Sequence, residues 1–286
     1  MRSMRSLLAE VRDELPQKPG PVVIFNKSHS GSRLLAALVE QAGVFMGAHQ
    51  NESRDSLDVL ELVTHLVVAH YPEYESLLDD GVAGDPLLPD LIRRVFASHL
   101  SGFDAGGGGR WGWKLCETSH IVPVVDLLFP GARFIHLIRD GRDVAFSDHR
   151  GPDSPFWKKI YFNTDRITHW RGRTLTRRAY RRRSHVFNAQ HWVNSVTVGR
   201  RYGAQLGDRY LEVRYEELCL EFERTAARVL AFIGMEAAIP AVAAMGPLVY
   251  AGAIGKHRRQ SWFRRRTVAG IVTPLLLELG YLNGDG

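Results

Sequence analysis

A strand–loop–helix pattern recurs three times along this 286-residue chain, and it limits the possible folds more than any other feature. Each unit starts with a compact run rich in β-branched and aromatic residues, at positions 22–25, 133–138 and 210–214. Such runs are typical of buried parallel strands. Helical patterns follow at residues 34–42, 144–148 and 222–233. The alternation predicts an α/β fold with a mostly parallel central sheet and helices on both of its faces.

The order of the segments along the chain predicts one domain over residues 1–286. Residues 1–20 read as a short amphipathic helix and a Pro/Gly turn, residues 22–259 as the core, and residues 260–286 as a C-terminal helical segment. Further helices are predicted at 56–70, at 121–129 before Pro130-Gly131, and around Trp192. No internal repeat and no long linker divides the chain.

Charge and cysteine content narrow the functional classes. Lysine and arginine number 37 against 31 acidic residues, a net charge of +6 that suits an anionic ligand. Two arginine-rich runs, 171–183 and 256–266, are also compatible with solvated helix faces. Cys116 and Cys219 lie far apart and show no CxxC spacing, which argues against a disulfide scaffold and a zinc site and favours a reducing cytoplasm. Because residues 1–20 do not resemble a signal peptide and residues 241–255 are too short for a membrane span, we expect a soluble cytoplasmic protein.

Ligands of open parallel sheets bind beyond the carboxyl ends of the strands, so the loops there carry most information. After the first run come Asn26 and a loop from Lys27 to Arg33 whose small residues let backbone N–H groups approach an anion. This predicts a phosphate cradle; an ordinary turn with an N-cap serine is the alternative. The loop is not a Walker A motif, and the Gly255-Lys256 pair follows no strand and precedes His257.

After the second run stand Arg139 and, eight residues on, Ser147. The turn between them folds a new helix back over the strand tip, so the two side chains can converge. Arginine offers a bidentate fork to a phosphate and the serine hydroxyl completes the set. Asp143, near the helix start, is predicted to be a capping acid.

Four segments in order give a more specific indication: the loop at 28–33, LIRDGRDVAFS at 137–147, RYEEL at 214–218 and GKHRR at 255–259. Together they resemble the sulfotransferases that use 3′-phosphoadenosine 5′-phosphosulfate (PAPS). The segment around Trp192 and the stretch at 111–114 resemble the bacterial and carbohydrate-type branches more than the cytosolic phenol and steroid type. The resemblance implies a P-loop-like sulfotransferase fold, PAPS as donor with the bisphosphate PAP as product, no metal, and no covalent enzyme intermediate.

The resemblance also implies a set of nucleotide-binding residues. These are Lys27, Ser28, His29, Ser30, Gly31, Ser32, Arg33, Arg139, Ser147, Tyr215, Lys256, His257 and Arg258. The family places a cation in the first loop to neutralise the leaving oxygen, and here His29 occupies that position while Lys27 stands two residues earlier. We favour Lys27, expected to be charged at any relevant pH, with His29 as the alternative.

This chain lacks the histidine that the resemblance would imply as the general base for the acceptor hydroxyl. Cytosolic members carry a histidine two residues after a lysine; here Lys114 is present, but Cys116 takes the histidine's place. We favour Glu117 as the base, with His120 and Glu52 as alternatives. Lys114 is predicted to be a cation near the transferred sulfuryl group.

The predicted reaction is sulfuryl transfer from PAPS to a hydroxyl of a sugar, a glycolipid or a natural-product alcohol or phenol. The acceptor pocket is expected at residues 48–70 and 154–191. The alternatives are a Mg²⁺-dependent kinase-like enzyme, disfavoured by the missing Walker motif, and a non-enzymatic nucleic-acid-binding protein that uses the arginine runs. We expect no nucleic-acid partner and no stable membrane insertion, and a homodimer is compatible with the sequence.

Overall fold

The computed structural model describes residues 2–70, 78–79, 83–104, 108–147, 177–246, 249 and 251–282, with backbone alone at 177–181. Most of the arginine run at 171–183, the end of the helix predicted to reach residue 148, and acceptor residues 154–176 therefore lie outside the described residues.

The described part of the chain contains one four-stranded parallel sheet. Its strands are β1 (Val22–Asn26), β2 (Gly112–Lys114), β3 (Arg133–Ile138) and β4 (Tyr210–Arg214), in the order β2-β1-β3-β4. Ile24 at the centre of β1 pairs with Lys114 on one side and Ile135 on the other. The three predicted strands are confirmed, and β2 is an addition that the sequence pattern did not indicate.

Helices cover both faces of this sheet, as predicted. The helices are α1 (Met4–Arg12), α2 (Ser32–Gln41), α3 (Leu57–His70), α4 (Leu88–His99), α5 (Val122–Leu128), α6 (Gly141–Ala145), α7 (Arg177–Leu206), α8 (Tyr215–Leu220), α9 (Phe222–Ile233), α10 (Ile239–Ala243) and α11 (Trp262–Glu278). Short 3₁₀ turns lie at Cys116–His120, Gly207–Arg209, Glu236–Ala238 and Lys256–Arg259. Each predicted helix has a counterpart in the described residues, although α6 ends at Ala145, before the predicted end at residue 148. Helices α4, α8 and α10 were not predicted.

The alternation of side chains along β1 divides the core into two layers. Val23 and Phe25 pack into the layer shared with α1, α3, α4 and α5. Val22 and Ile24 face the opposite layer, which α2 and α9 complete. Both faces of the strand are therefore dry, which explains why its sequence is continuously apolar.

Helix α7 packs behind the turn that follows β3. The indole of Trp192 is buried, and its Nε1–H donates to the backbone oxygen of Arg139 at 2.9 Å. Gly141 lies against the same ring, where a β-carbon would come within 2.5 Å of an indole carbon. Trp192 thus fixes the position of the turn that carries Arg139. Among the described helices, none is both long and apolar enough to cross a bilayer.

Candidate active site

The loop between β1 and α2 forms a tight turn that leads into the N-terminus of α2, which no side chain caps. The backbone N–H of Ser30 donates to the oxygen of Lys27 at 3.2 Å, and its hydroxyl donates to the same oxygen at 2.6 Å. Gly31, with φ of +87°, is the N-cap residue of α2, and no side chain caps the helix there. The alternative interpretation of this loop, an ordinary turn with an N-cap serine, is therefore wrong. The first N–H groups of α2, which carry the positive end of the helix dipole, face the loop without a side-chain cap.

Tyr215, the first residue of α8, fixes the separation between this loop and Arg139. A β-carbon on Gly31 would lie 2.2 Å from the Tyr215 ring, so only glycine fits against the ring. On the other side, the guanidinium of Arg139 lies 4.6 Å from the centre of the same ring. The sequence-predicted residues of the first loop, of β3 and of α8 therefore meet at one point.

Arg139 is buried at the carboxyl end of β3. It donates to the backbone oxygen of His29 at 3.2 Å and to that of Ala253, and it lies 3.6 Å from the carboxylate of Asp143. Its buried Nε–H has no hydrogen-bond partner among the described residues. An unpaired buried donor on a cation is costly unless a ligand oxygen completes it, which is what an anion site requires.

Asp143 does not cap α6; its near neighbour Asp140 does, by accepting from the N–H of Arg142 at 2.8 Å. The predicted capping role of Asp143 is therefore wrong. Asp143 is buried and accepts from the N–H groups of Gly255 at 2.7 Å and His257 at 2.9 Å. The His257 ring Nδ1 lies 2.6 Å from the same carboxylate. Burial raises the pKa of Asp143, but these bonds outweigh it and hold the pKa below its ordinary value. We call this set of contacts the Asp143 latch.

The latch brings the C-terminal basic turn to the second loop. The ammonium of Lys256 donates to the hydroxyl of Ser147. Burial lowers the pKa of Lys256, and the nearby charge of Arg139 lowers it further. Two predicted residues lie at the periphery instead: Arg258 is exposed, and the exposed Arg33 is 3.4 Å from the Ser53 hydroxyl.

A second group of ionisable side chains lies at the ends of β1 and β2. Lys27 is buried there, with its Nζ 2.6 Å from the Ser28 hydroxyl. Burial lowers the pKa of Lys27 to about 8, against the opposing charges of Cys116 and Glu117. The expectation that Lys27 is charged at any relevant pH is therefore wrong above about pH 8. The side chain of His29, by contrast, is exposed, and its backbone adopts a φ of +68°.

Lys114 is neutralised by a residue that the sequence reading missed. Its buried Nζ donates to the carboxylate of Asp55 at 2.6 Å and to the backbone oxygen of Ser53 at 2.8 Å. Asp55 precedes α3, 59 residues away in sequence, and no motif connects it to Lys114. The lysine is therefore in the site, but much of its charge is matched by this carboxylate.

The three candidates for the base, and Cys116 at the position of the family's histidine, differ in pKa or exposure. Burial, with the charge of Asp55 added, raises the pKa of Glu117 to about 7, and Lys27 and Lys114 keep it from rising further. Burial raises the pKa of the Cys116 thiol to about 12. Burial and the charge of Lys27 lower the pKa of His120 to about 4. Glu52 is exposed. Only Glu117 of the first three titrates near neutrality.

Residues 13–238 match the sequence model of the family described as the sulfotransferase family. The chain belongs to the sulfotransferase family. No curated protein sequence matches it.

Solved structures similar to this sulfotransferase include three bacterial-type domains. The sulfotransferase domain from the curacin biosynthetic pathway is 16% identical, with a TM-score of 0.47 and 76% of this chain and 75% of that chain covered. The domain from the Synechococcus PCC 7002 olefin synthase is 16% identical, with a TM-score of 0.46 and coverages of 90% and 96%. Sulfotransferase STF9 from Mycobacterium avium is 13% identical, with a TM-score of 0.46 and coverages of 95% and 81%.

A cavity of about 380 Å³ lies elsewhere in the sulfotransferase, beside the edge strand β4. Its arginines are already paired, Arg200 with Glu212 at 2.8 Å and Arg228 with Glu217 at 3.1 Å. The ends of β1 and β3, where a buried cation keeps an unpaired donor, are the better anion site.

Proposed function

We propose that this sulfotransferase takes its sulfuryl group from PAPS and transfers it to a hydroxyl group of a small-molecule, glycan or glycolipid acceptor. The observation that carries the proposal is the convergence of Arg139, Lys256, the uncapped start of α2 and the buried Lys27 at the carboxyl ends of β1 and β3. Positive groups gathered from three separate parts of the chain suit a ligand with two anionic ends, such as an adenosine bisphosphate.

The residues present fit the two anionic groups of that nucleotide. In the proposal, the backbone N–H groups of the loop at 28–33 hold the 5′-phosphosulfate. The unpaired Nε–H of Arg139, the Ser147 hydroxyl and the Lys256 ammonium hold the 3′-phosphate. Bound PAPS supplies the sulfuryl group and a nucleotide phosphate as leaving group. Lys27 neutralises the leaving oxygen, because it is the buried cation beside the loop.

Glu117 is the proposed general base for the acceptor hydroxyl. A base is most effective when its pKa lies near the working pH, and burial brings the Glu117 pKa to about 7. The Lys114–Asp55 pair adds two smaller, opposing effects to that of burial: Asp55 raises the pKa of Glu117, and Lys114 lowers it. Lys114 would then act on the reaction chiefly through Glu117, with its remaining charge near the sulfuryl group.

This assignment predicts a narrow bell-shaped pH profile of kcat/KM. Activity should rise as Glu117 loses its proton near pH 7 and fall as Lys27 loses its charge near pH 8, because their pKa values are about 7 and about 8. Glu117→Gln should lower kcat by roughly 100-fold or more and abolish the rise near pH 7, since general-base catalysis contributes about 10²–10⁴.

His120→Gln is the matched control for that profile. It alters a buried neighbour whose pKa is about 4, so the rise near pH 7 should remain. If the rise near pH 7 survives in Glu117→Gln and disappears in His120→Gln, the base is His120 and the assignment is wrong.

The donor can be tested directly with adenosine 3′,5′-bisphosphate (PAP). A ligand at 100 times its Kd stabilises the folded state by about 2.7 kcal/mol, so saturating PAP should raise the melting temperature measurably. ATP with Mg²⁺ at equal concentration should raise it less. Stabilisation by ATP with Mg²⁺ alone would favour a kinase-like enzyme. Transfer from PAPS to a mixed library of sugars, alcohols and phenols then identifies the acceptor class.

A further inference from the structure

Three side chains outside the proposed active site converge where α3 ends and α4 begins. The Nε2 atoms of His65 and His70 lie 2.7 Å and 3.1 Å from one carboxylate oxygen, Oδ2 of Asp85. The two imidazole planes are inclined by 68°, so the nitrogens approach that oxygen from different directions. The side chains are only 25%, 23% and 11% exposed, in that order. The two nitrogens and the carboxylate oxygen, all potential metal ligands, thus lie close together in a partly buried position.

The carboxylate is held in position by the backbone at the start of α4. Its other oxygen, Oδ1, accepts from the N–H of Leu87 at 2.9 Å, and the Asp85 backbone oxygen accepts from the N–H of Leu88 at 3.2 Å. Backbone bonds of this kind commonly orient metal-ligating carboxylates and leave the second oxygen available.

The donor set and spacing suit a divalent transition metal. Two neutral imidazoles and one carboxylate are ligands of Zn²⁺, and Zn–N and Zn–O bonds of about 2.0–2.2 Å in tetrahedral geometry place ligand atoms about 3.3–3.5 Å apart. The present separations of 2.7 Å and 3.1 Å are slightly shorter than that. Small rotations of three partly exposed side chains would open the cluster enough to admit the ion.

A second cluster of two histidines and one aspartate, at the start of α3, lacks the shared ligand point of the His65, His70 and Asp85 cluster. Asp58 lies 3.2 Å from Nδ1 of His49 and 4.0 Å from Nδ1 of His99. Both ring nitrogens of the buried His99 have other partners, Ser56 Oγ at 3.2 Å and the oxygen of Gly112 at 3.0 Å. His99 is therefore held away from a shared ligand point, whereas His65 and His70 both direct Nε2 at Asp85.

We propose that His65, His70 and Asp85 form a three-ligand site for Zn²⁺ or a similar divalent transition metal, with water completing the coordination. The ion would fasten the last turn of α3 to the segment that starts α4. The site is separate from sulfuryl transfer, because His70 lies at the far end of the 14-residue helix α3, about 20 Å along it from the end next to Asp55. Cysteine spacing gave no indication of this site, because none of its ligands is a cysteine.

Zinc titration of the metal-free full-length chain tests the proposal. Isothermal titration calorimetry should show one Zn²⁺ bound per chain. Asp85→Asn and the double variant His65→Gln/His70→Gln should each weaken binding by more than about tenfold, because even indirect partners of metal ligands contribute 10–100-fold. His49→Gln is the matched control, since it removes an exposed histidine that also has an aspartate partner, and its zinc affinity should equal that of wild type.

Two further measurements keep the test independent of folding and of the proposed function. Co²⁺ added to the wild-type chain should give the visible absorption of a tetrahedral site, which needs no variant. The melting transition of each variant, measured without added nucleotide, reports whether the rest of the molecule remains folded. A wild-type chain that binds no Zn²⁺, or an Asp85→Asn chain that binds it as tightly as wild type, would overturn the proposal.

Discussion

Replacing Lys27 with methionine should lower kcat by about 100- to 1,000-fold, the usual effect of removing one group that stabilises developing charge. The fold should tolerate the change, because burial already disfavours the ammonium and lowers its pKa to about 8. Methionine has a similar length and fills the same buried space without the charge. Initial rates of transfer from PAPS and the melting temperature measure the two effects separately.

A second consequence of this substitution distinguishes a catalytic cation from a packing residue. The charge of Lys27 lowers the pKa of Glu117, so without it that pKa should lie above about 7. The rising limb of the pH profile should therefore move to higher pH in Lys27→Met. His29→Ala is the control, since it removes an exposed side chain of the same loop and should cost little activity. A larger loss in His29→Ala than in Lys27→Met would reverse the assignment.

Replacing Arg139 with alanine should weaken PAP binding by on the order of 100-fold, since each hydrogen bond to a charged group contributes about 1.5–3 kcal/mol. Asp143 keeps its bonds to Gly255 and His257 in this variant, so the latch should hold and the chain should still fold. Arg139→Lys, which keeps the charge but loses the planar fork, should give an intermediate affinity. Calorimetric titration with PAP measures all of these affinities.

Arg142→Ala is a matched control from the same turn. Its guanidinium pairs with Asp140 at 2.6 Å and not with the groups around Tyr215. We expect PAP to bind Arg142→Ala as it binds wild type. Unchanged PAP affinity in Arg139→Ala would remove Arg139 from the donor site, and an equal loss in both variants would indicate a general effect of charge.

The sequence predicted those strands and helices whose pattern of apolar residues matches the burial of their side chains in the structure. Strands β1 and β3 are dry on both faces and therefore read as continuous apolar runs. Strand β2 was missed because three residues, Gly-Trp-Lys, carry no periodicity, and its extended form depends on pairing with β1. Helix α4 was missed although its apolar residues recur at helical spacing and Pro89 stands in its first turn, where proline is well tolerated.

The candidate site was predictable where it follows strand ends and unpredictable where it depends on distant partners. Arg139 and Tyr215 immediately follow strands, so topology alone brings them to one edge. Asp143 was misread because its partners lie more than 100 residues further along the chain. The lowered pKa of Lys27 is likewise a result of burial, which no local pattern reports.

The Asp143 latch also determines how small a working piece of this protein can be. The family match ends at residue 238, whereas the latch and the backbone contact of Arg139 draw on residues 253–257. A fragment cut at the end of the match would leave a buried carboxylate and a buried guanidinium without these hydrogen-bond partners, and each buried group left unsatisfied typically costs about 1–3 kcal/mol or more. Any shortened version meant for nucleotide binding has to extend beyond Arg259, where the basic turn ends.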